Sequence, residues 1–347
     1  MDLHKLPKIE LHLHLDCSLS YDAVSRLLPS VTRGEYASDY VAPSKCTDLA
    51  DFLRRAPKGV QLLQTPLALS LVTEDVFRQL ASDGVIYAEL RFAPLLHTEQ
   101  GLTARKVVEI VDRACESMIR ETGIEARLIL CTLRHFTAAQ SMETVLLVED
   151  FRGSRVTALD LAGDEAGYPI LRHIAAYHFA REKNLFRTAH VGEGRGPESV
   201  WETIRLLNPT RIGHGTRSSE DPELVEYLSR TKIHLELCPS SNVQIIPSIP
   251  DFAAHPINRL YQAGVALNVN TDSRMLTPTT LTREYEKLRD VFSWGPDEFL
   301  QTNLMAIQAA FVDAGIKRET RSQIDRFFLN YSAFHCSSSS CEYSALA

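Results

Sequence analysis

Ile9-Glu10-Leu11-His12-Leu13-His14-Leu15 is the stretch from which the rest of the chain is read. Successive side chains of a strand point to opposite faces, so residues two apart share one face and the imidazoles of His12 and His14 converge. A buried strand face seldom carries two histidines, because each unpaired ring nitrogen forfeits hydrogen bonds with water. A divalent metal satisfies both nitrogens at once. An exposed strand whose polar face happens to hold two histidines also fits the pattern, and distant residues must decide between the two.

Outward from this stretch, short β-branched and leucine-rich runs alternate with longer segments of helical period, as in βαβ units on a parallel sheet. Eight strands are predicted, at 9–15, 85–92, 126–133, 156–161, 186–190, 211–214, 233–237 and 265–270. The segments 104–121, 170–183, 197–207 and 222–231 read as amphipathic helices between them. Eight such units predict an α/β fold with a single closed (β/α)8 barrel of the TIM type. A doubly wound open sheet is the rival, but no Gly-rich dinucleotide fingerprint follows the first strand. The barrel is expected over residues 1–335. Within it, 18–83 reads as a helical insertion that caps the first strand, with a helix start at Ser44 or Thr47. Helices at 281–291, 297–313 and 320–333 close the fold, and the serine-rich segment 336–347 reads as a disordered tail.

Charge and composition narrow the function. The 37 basic and 44 acidic residues give a net charge of -7 with no long block of one sign, which argues against a nucleic-acid polymer as partner. No stretch approaches the ~20 apolar residues of a spanning helix, and the charged N-terminus does not resemble a signal peptide. A soluble, cytoplasmic protein without a membrane partner is expected. The seven cysteines are scattered, odd in number and without C-x-x-C, so they read as reduced thiols and not as a disulfide framework or zinc module.

Catalytic groups of a barrel come from the C-terminal ends of its strands. The fifth predicted strand ends in Thr188-Ala189-His190-Val191-Gly192-Glu193, the sixth in Arg211-Ile212-Gly213-His214-Gly215 and the eighth in Asn268-Val269-Asn270-Thr271-Asp272. Each brings a histidine or an acid to the rim that holds His12 and His14. Taken singly, His214 could bond a loop carbonyl and Asp272 could cap a helix. Together, three imidazoles and a carboxylate with a position left for water make a plausible catalytic metal site.

At this point the chain resembles a known family. Pro7-Lys8-Ile9-Glu10-Leu11-His12-Leu13-His14-Leu15-Asp16, Leu161-Ala162-Gly163-Asp164-Glu165, His190-Val191-Gly192-Glu193, Arg211-Ile212-Gly213-His214-Gly215 and Asn270-Thr271-Asp272 are similar, in order, to the motifs of adenosine and related adenyl deaminases of the amidohydrolase superfamily. The resemblance implies that His12, His14, His190 and Asp272 bind one Zn2+ per chain. It makes Glu193 the acid that protonates the ring nitrogen beside the attacked carbon, a task that requires a carboxyl pKa raised by burial. His214 would orient the attacking water and help move its proton, with Asp272 assisting.

For the substrate, the resemblance places Asp16 on the sugar 5′-hydroxyl and the Gly163 backbone on a purine ring nitrogen, with His14 beside them. Ser273 stands where many members carry a second aspartate facing the five-membered ring, and its hydroxyl can still donate one hydrogen bond. Cys17 stands where many carry glycine. The implied reaction is hydrolytic deamination of adenosine and 2′-deoxyadenosine in purine salvage, with a small purine nucleoside as partner. The alternatives are a 5′- or N6-substituted adenosine, free adenine, or a non-catalytic nucleoside-binding barrel. Dinuclear amidohydrolases carry a lysine at the end of the fourth strand, which this chain lacks, and the cytidine-type deaminase signature, H-x-E together with P-C-x-x-C, is incomplete because no P-C-x-x-C occurs.

Overall fold

The computed structural model describes residues 1–339. Its strands are β1 (Lys8–His14), β2 (Val85–Phe92), β3 (Glu125–Leu133), β4 (Val156–Ala162), β5 (Phe186–Arg187), β6 (His190–Val191), β7 (Arg211–His214), β8 (His234–Leu237) and β9 (Leu267–Val269). All pair in parallel, in the orders β1-β2-β3-β4-β5 and β6-β7-β8-β9. Two seams join these sheets into one cylinder. At the first, Thr188 N–H donates to Leu159 O at 3.0 Å and Gly213 N–H donates to Ala189 O at 2.9 Å, so β5 and β6 are halves of one stave. At the second, Leu13 pairs with Asp272, and His14 N–H donates to Asp272 O at 2.7 Å. The expected barrel is formed. Its fifth strand, predicted as one run, is split because the first half is laddered to β4 and the second to β7.

The strand faces explain why the opening motif has the composition it has. Ile9, Leu11 and Leu13 join the hydrophobic core shared with the surrounding helices, and the alternation turns Glu10 and His12 the other way, into the barrel. That interior is charged. Arg91 Nη1 bonds Asp160 Oδ2 at 2.9 Å and Arg91 Nη2 bonds Glu236 Oε2 at 2.6 Å. Arg211 Nε bonds the other oxygen of Glu236 at 2.7 Å, and its Nη2 bonds Glu89. Charges this deeply buried persist only when paired and hydrogen-bonded.

Helices Tyr21–Leu27, Arg33–Asp39, Leu49–Leu53 and Ala56–Leu62 follow β1, and then Pro66–Ser82 packs along Ala104–Thr122. Pro66–Ser82 is thus the crossover helix between β1 and β2, and the inserted cap is narrower than the predicted 18–83. Leu49–Leu53 starts neither at Ser44 nor at Thr47. Asp48 caps it, accepting Asp51 N–H at 2.8 Å, and the Asp51 carboxylate reaches back to Thr47 N–H at 3.1 Å. Leu281–Phe292, Pro296–Ala309 and Ala314–Ser339 close the fold. The last helix runs into the segment 336–347 read as a tail, whose residues 340–347 lie outside the described ones. Among the described residues, no helix is long and apolar enough to cross a membrane, and Cys17, Cys46, Cys115, Cys131 and Cys238 are free thiols.

Candidate active site

Two groups of metal-capable side chains meet at the C-terminal rim: His12 with His14 and His190, and His12 with His214 and Asp272. Within each group the donor atoms lie within 4.8 Å of one another. The expected ligands therefore converge, with His12 common to both sets. His12 Nε2 is 3.4 Å and His14 Nε2 3.5 Å from Asp272 Oδ1, and the Nε2 atoms of His14 and His190 face each other at 3.0 Å.

The neighbours of these rings show which nitrogens are left to bind. His12 Nδ1 donates to Glu236 Oε2 at 2.9 Å, and His190 Nδ1 donates to Asp160 Oδ1 at 3.1 Å. Both rings thereby turn an Nε2 lone pair to the centre, the usual arrangement of a metal-bound histidine with a carboxylate behind it. His12 Nε2 is buried without any hydrogen-bond partner. An orphaned acceptor beside two nitrogens and a carboxylate oxygen fits a divalent cation of the zinc type. Burial drives the His14 imidazole down to about 3, the neutral form that a metal requires. Burial works against ionisation of Asp272, yet the adjoining His12 and His214 rings hold it well below the ordinary carboxylate range.

The backbone is shaped for this meeting. His214 and Asp272 both have left-handed φ, 59° and 67° respectively. Such values in non-glycine residues mark strain that surrounding structure must hold, and they cluster at functional sites. Gly213 permits the imidazoles to close in, because a Cβ there would stand 3.0 Å from His12 Cε1 and 3.3 Å from His190 Cα.

Glu193 is buried next to this cluster, its Oε2 3.5 Å from His214 Nε2. Burial, reinforced by Asp272 and Glu165, raises its carboxyl well above the ordinary range, as a proton donor requires. Asn242 bridges the pair, donating from Nδ2 to Glu193 Oε1 at 3.2 Å and to His214 Nδ1 at 3.1 Å. The Asn242 carbonyl oxygen accepts from Thr216 Oγ1 at 2.8 Å, which fixes this orientation of the amide. His214, whose pKa burial drives well below the usual value, is therefore neutral with its proton on Nε2. Glu165 anchors the loop from below: its carboxylate accepts the N–H groups of Gly192, Glu193, Gly194 and Arg195 at 2.7 to 3.1 Å.

A cavity of about 380 Å³ opens beside the cluster, lined among others by His14, Asp16, Cys17, Gly163 and Asp164. Asp16 is buried at its inner wall, and Oδ2 accepts Ala93 N–H at 3.1 Å. Gly163 follows β4 with φ +97°, a turn that side chains rarely tolerate. Ser273 is buried behind the metal group and donates from Oγ to Asp272 Oδ1 at 3.3 Å. Of the expected substrate residues, His14, Asp16 and Gly163 share the cavity wall, whereas Ser273 is not among its lining residues.

Sequence reasoning missed Glu236, Asp160, Arg91, Asn242 and Ser241, the last bonding Asp272 Oδ2 at 2.6 Å. A signal existed for the first three, since each is a charged residue inside an apolar strand run, where pairing is obligatory. Asn242 and Ser241, on the short helix Pro239–Ile245, gave none.

A family model described as adenosine deaminase matches residues 7–327. An adenosine deaminase of Enterococcus faecalis is 35% identical over 333 residues, covering 94% of this chain and 98% of that protein. Among solved structures, an adenine deaminase from Arthrobacter aurescens aligns with TM-score 0.85 at 25% identity, over 93% of this chain and 99% of that one. An N6-mAMP deaminase from Arabidopsis aligns with TM-score 0.84 at 25% identity, over 93% and 99%. The match runs from the metal strand to the closing helices, and the chain belongs to the adenosine deaminase family of hydrolytic, metal-dependent deaminases.

Proposed function

We propose that the chain hydrolyses adenosine and 2′-deoxyadenosine to inosine and 2′-deoxyinosine with release of ammonia, as a cytoplasmic enzyme of purine salvage. Residues 1–335 form its catalytic domain, and one Zn2+ is held by His12, His14, His190 and Asp272. Zinc, when bound, supplies the Lewis acidity that makes hydroxide available from water near pH 7. Glu193 donates its proton to the ring nitrogen beside the carbon that bears the amino group, so that the ring gives up aromaticity at lower cost. His214 orients the attacking water through Nε2–H, and Asp272 takes the proton that water loses. That proton leaves with the amino group as ammonia, and the proton of the added hydroxyl returns to Glu193 as the carbonyl forms, so one water is consumed for each C–N bond broken. The Gly163 N–H donates to a purine ring nitrogen and Asp16 accepts the sugar 5′-hydroxyl, while Ser273 reaches the five-membered ring only by turning its hydroxyl from Asp272.

The composition of the cavity wall carries the choice of a nucleoside. From His14 the wall leads to Asp16, with Glu99 and Asp164 also lining it, and among the described lining residues none is lysine or arginine. A 5′-phosphate would face carboxylates there, while a 5′-hydroxyl finds an acceptor. The test is the ultraviolet change on incubating zinc-loaded protein with adenosine, 2′-deoxyadenosine, adenine, N6-methyl-AMP and 5′-modified adenosines. Adenosine and 2′-deoxyadenosine should lead in kcat/KM. A clear preference for adenine or for the nucleotide would overturn the substrate reading.

A further inference from the structure

His97 ends the short turn Pro94–His97 that follows β2, and its side chain is fully buried. Neither of its ring nitrogens has a hydrogen-bond partner, an unfavourable state for a buried imidazole. One side of the ring lies near Phe92, with centroids 6.4 Å apart. Its Nε2 stands 3.6 Å from Asp16 Oδ2, just beyond hydrogen-bond length. The same Oδ2 accepts Ala93 N–H at 3.1 Å. Two groups of a single turn thus address one oxygen of Asp16 and leave Oδ1 to accept from a ligand.

We infer that His97 is a positioning residue, whose ring fixes the Asp16 carboxylate with Oδ1 presented to the substrate's 5′-hydroxyl and thereby sets the preference for a sugar that carries one. The inference rests on the reading of Asp16 as the sugar-hydroxyl acceptor. A carboxylate only accepts, so a substrate without the hydroxyl leaves Oδ1 one bond short in a buried site, and that shortfall is what the enzyme discriminates by. If the carboxylate can swing, the oxygen finds other partners and the discrimination is lost.

The experiment compares kcat and KM of the zinc-loaded enzyme on adenosine and 5′-deoxyadenosine for wild type, His97→Met and His97→Gln. Wild type should prefer adenosine by about tenfold or more in kcat/KM. His97→Met should narrow the ratio to within about threefold by raising KM for adenosine while kcat holds, and His97→Gln, which keeps an N–H donor, should restore much of it. Turnover of 5′-deoxyadenosine, unchanged in both variants, shows that they fold. An undiminished ratio in His97→Met, or equal losses on both nucleosides in both variants, overturns the inference. A wild type that does not distinguish the two nucleosides overturns the reading of Asp16 itself, and the role of His97 falls with it.

Discussion

In the middle of the barrel, Glu236 receives His12, Arg91, Arg211 and Thr188, and each of the two arginines bonds two carboxylates. One layer toward the strand ends the same residue types are left incomplete. His12 Nε2 has no partner, and His14 and His190 turn Nε2 atoms on each other at 3.0 Å. The backbone differs as well, since His214 and Asp272 hold left-handed φ values that cost about 1–3 kcal/mol each. A layer whose carboxylates are saturated is rigid even with Arg91 Nε left unpartnered, because no carboxylate can move without losing a buried partner. Such a layer is what allows unsatisfied groups above it to be held open for a ligand.

Glu193→Gln is the largest test of the open layer. Removing the proton donor should lower kcat/KM for adenosine by about a thousandfold or more while leaving the metal content unchanged. Stability should move the other way. The folded state holds Glu193 protonated, above its ordinary range, while the unfolded chain releases that proton above about pH 4.3, so the cost is absent in acid and grows as pH rises. In urea unfolding the variant should match wild type near pH 4 and exceed it near pH 7. Near-normal turnover would remove Glu193 from the mechanism.

Arg91→Met strikes the saturated layer. It takes from Asp160 the guanidinium that balances it and from Glu236 one of two, both carboxylates being fully buried, and should lower unfolding free energy by about 3–5 kcal/mol. A shift in urea midpoint equivalent to less than ~1 kcal/mol, the scale of a surface pair, would mean that water or rearrangement satisfies these carboxylates.

Asp160→Asn couples the two layers, because Asp160 holds the Nδ1 proton of His190 as well as Arg91. Zinc affinity, read by competition with a chelator, should fall about 10–100-fold, the usual consequence of loosening the carboxylate behind a metal-bound histidine. Unchanged affinity would separate the layers and leave His190 oriented by its own packing.

The open layer was the more legible of the two. The alternation that pairs His12 with His14, and the motifs ending in Glu193, His214 and Asp272, are local patterns whose strand-end position follows from βα periodicity. The saturated layer is not local. Arg91 and Asp160 are 69 residues apart, and Arg91 and Glu236 are 145 apart, so only closure of the cylinder brings them together. Glu165 lay inside a recognised motif, yet its partners are the backbone amides of residues 192–195, which no side-chain pattern announces. Asp48 was passed over as a cap because two neighbouring hydroxyl residues offered the same chemistry, and loop geometry chose among them.

Gly213→Ala is the mildest perturbation and the most pointed, since it changes no charge and no hydrogen bond. The added methyl would stand 3.0 Å from His12 Cε1 and 3.3 Å from His190 Cγ, closer than ordinary contact, so a ring or the strand must give by a few tenths of an ångström. If the layer below truly holds the rings, the imidazoles resist and the strain falls on the metal geometry. Zinc affinity should then drop about three- to tenfold, with a stability loss of about 1 kcal/mol, the low end for overpacking a tight site. Full retention of zinc affinity with a larger loss of stability would mean that β7 yields before the rings do, and that the rim is held less firmly than the paired charges beneath it.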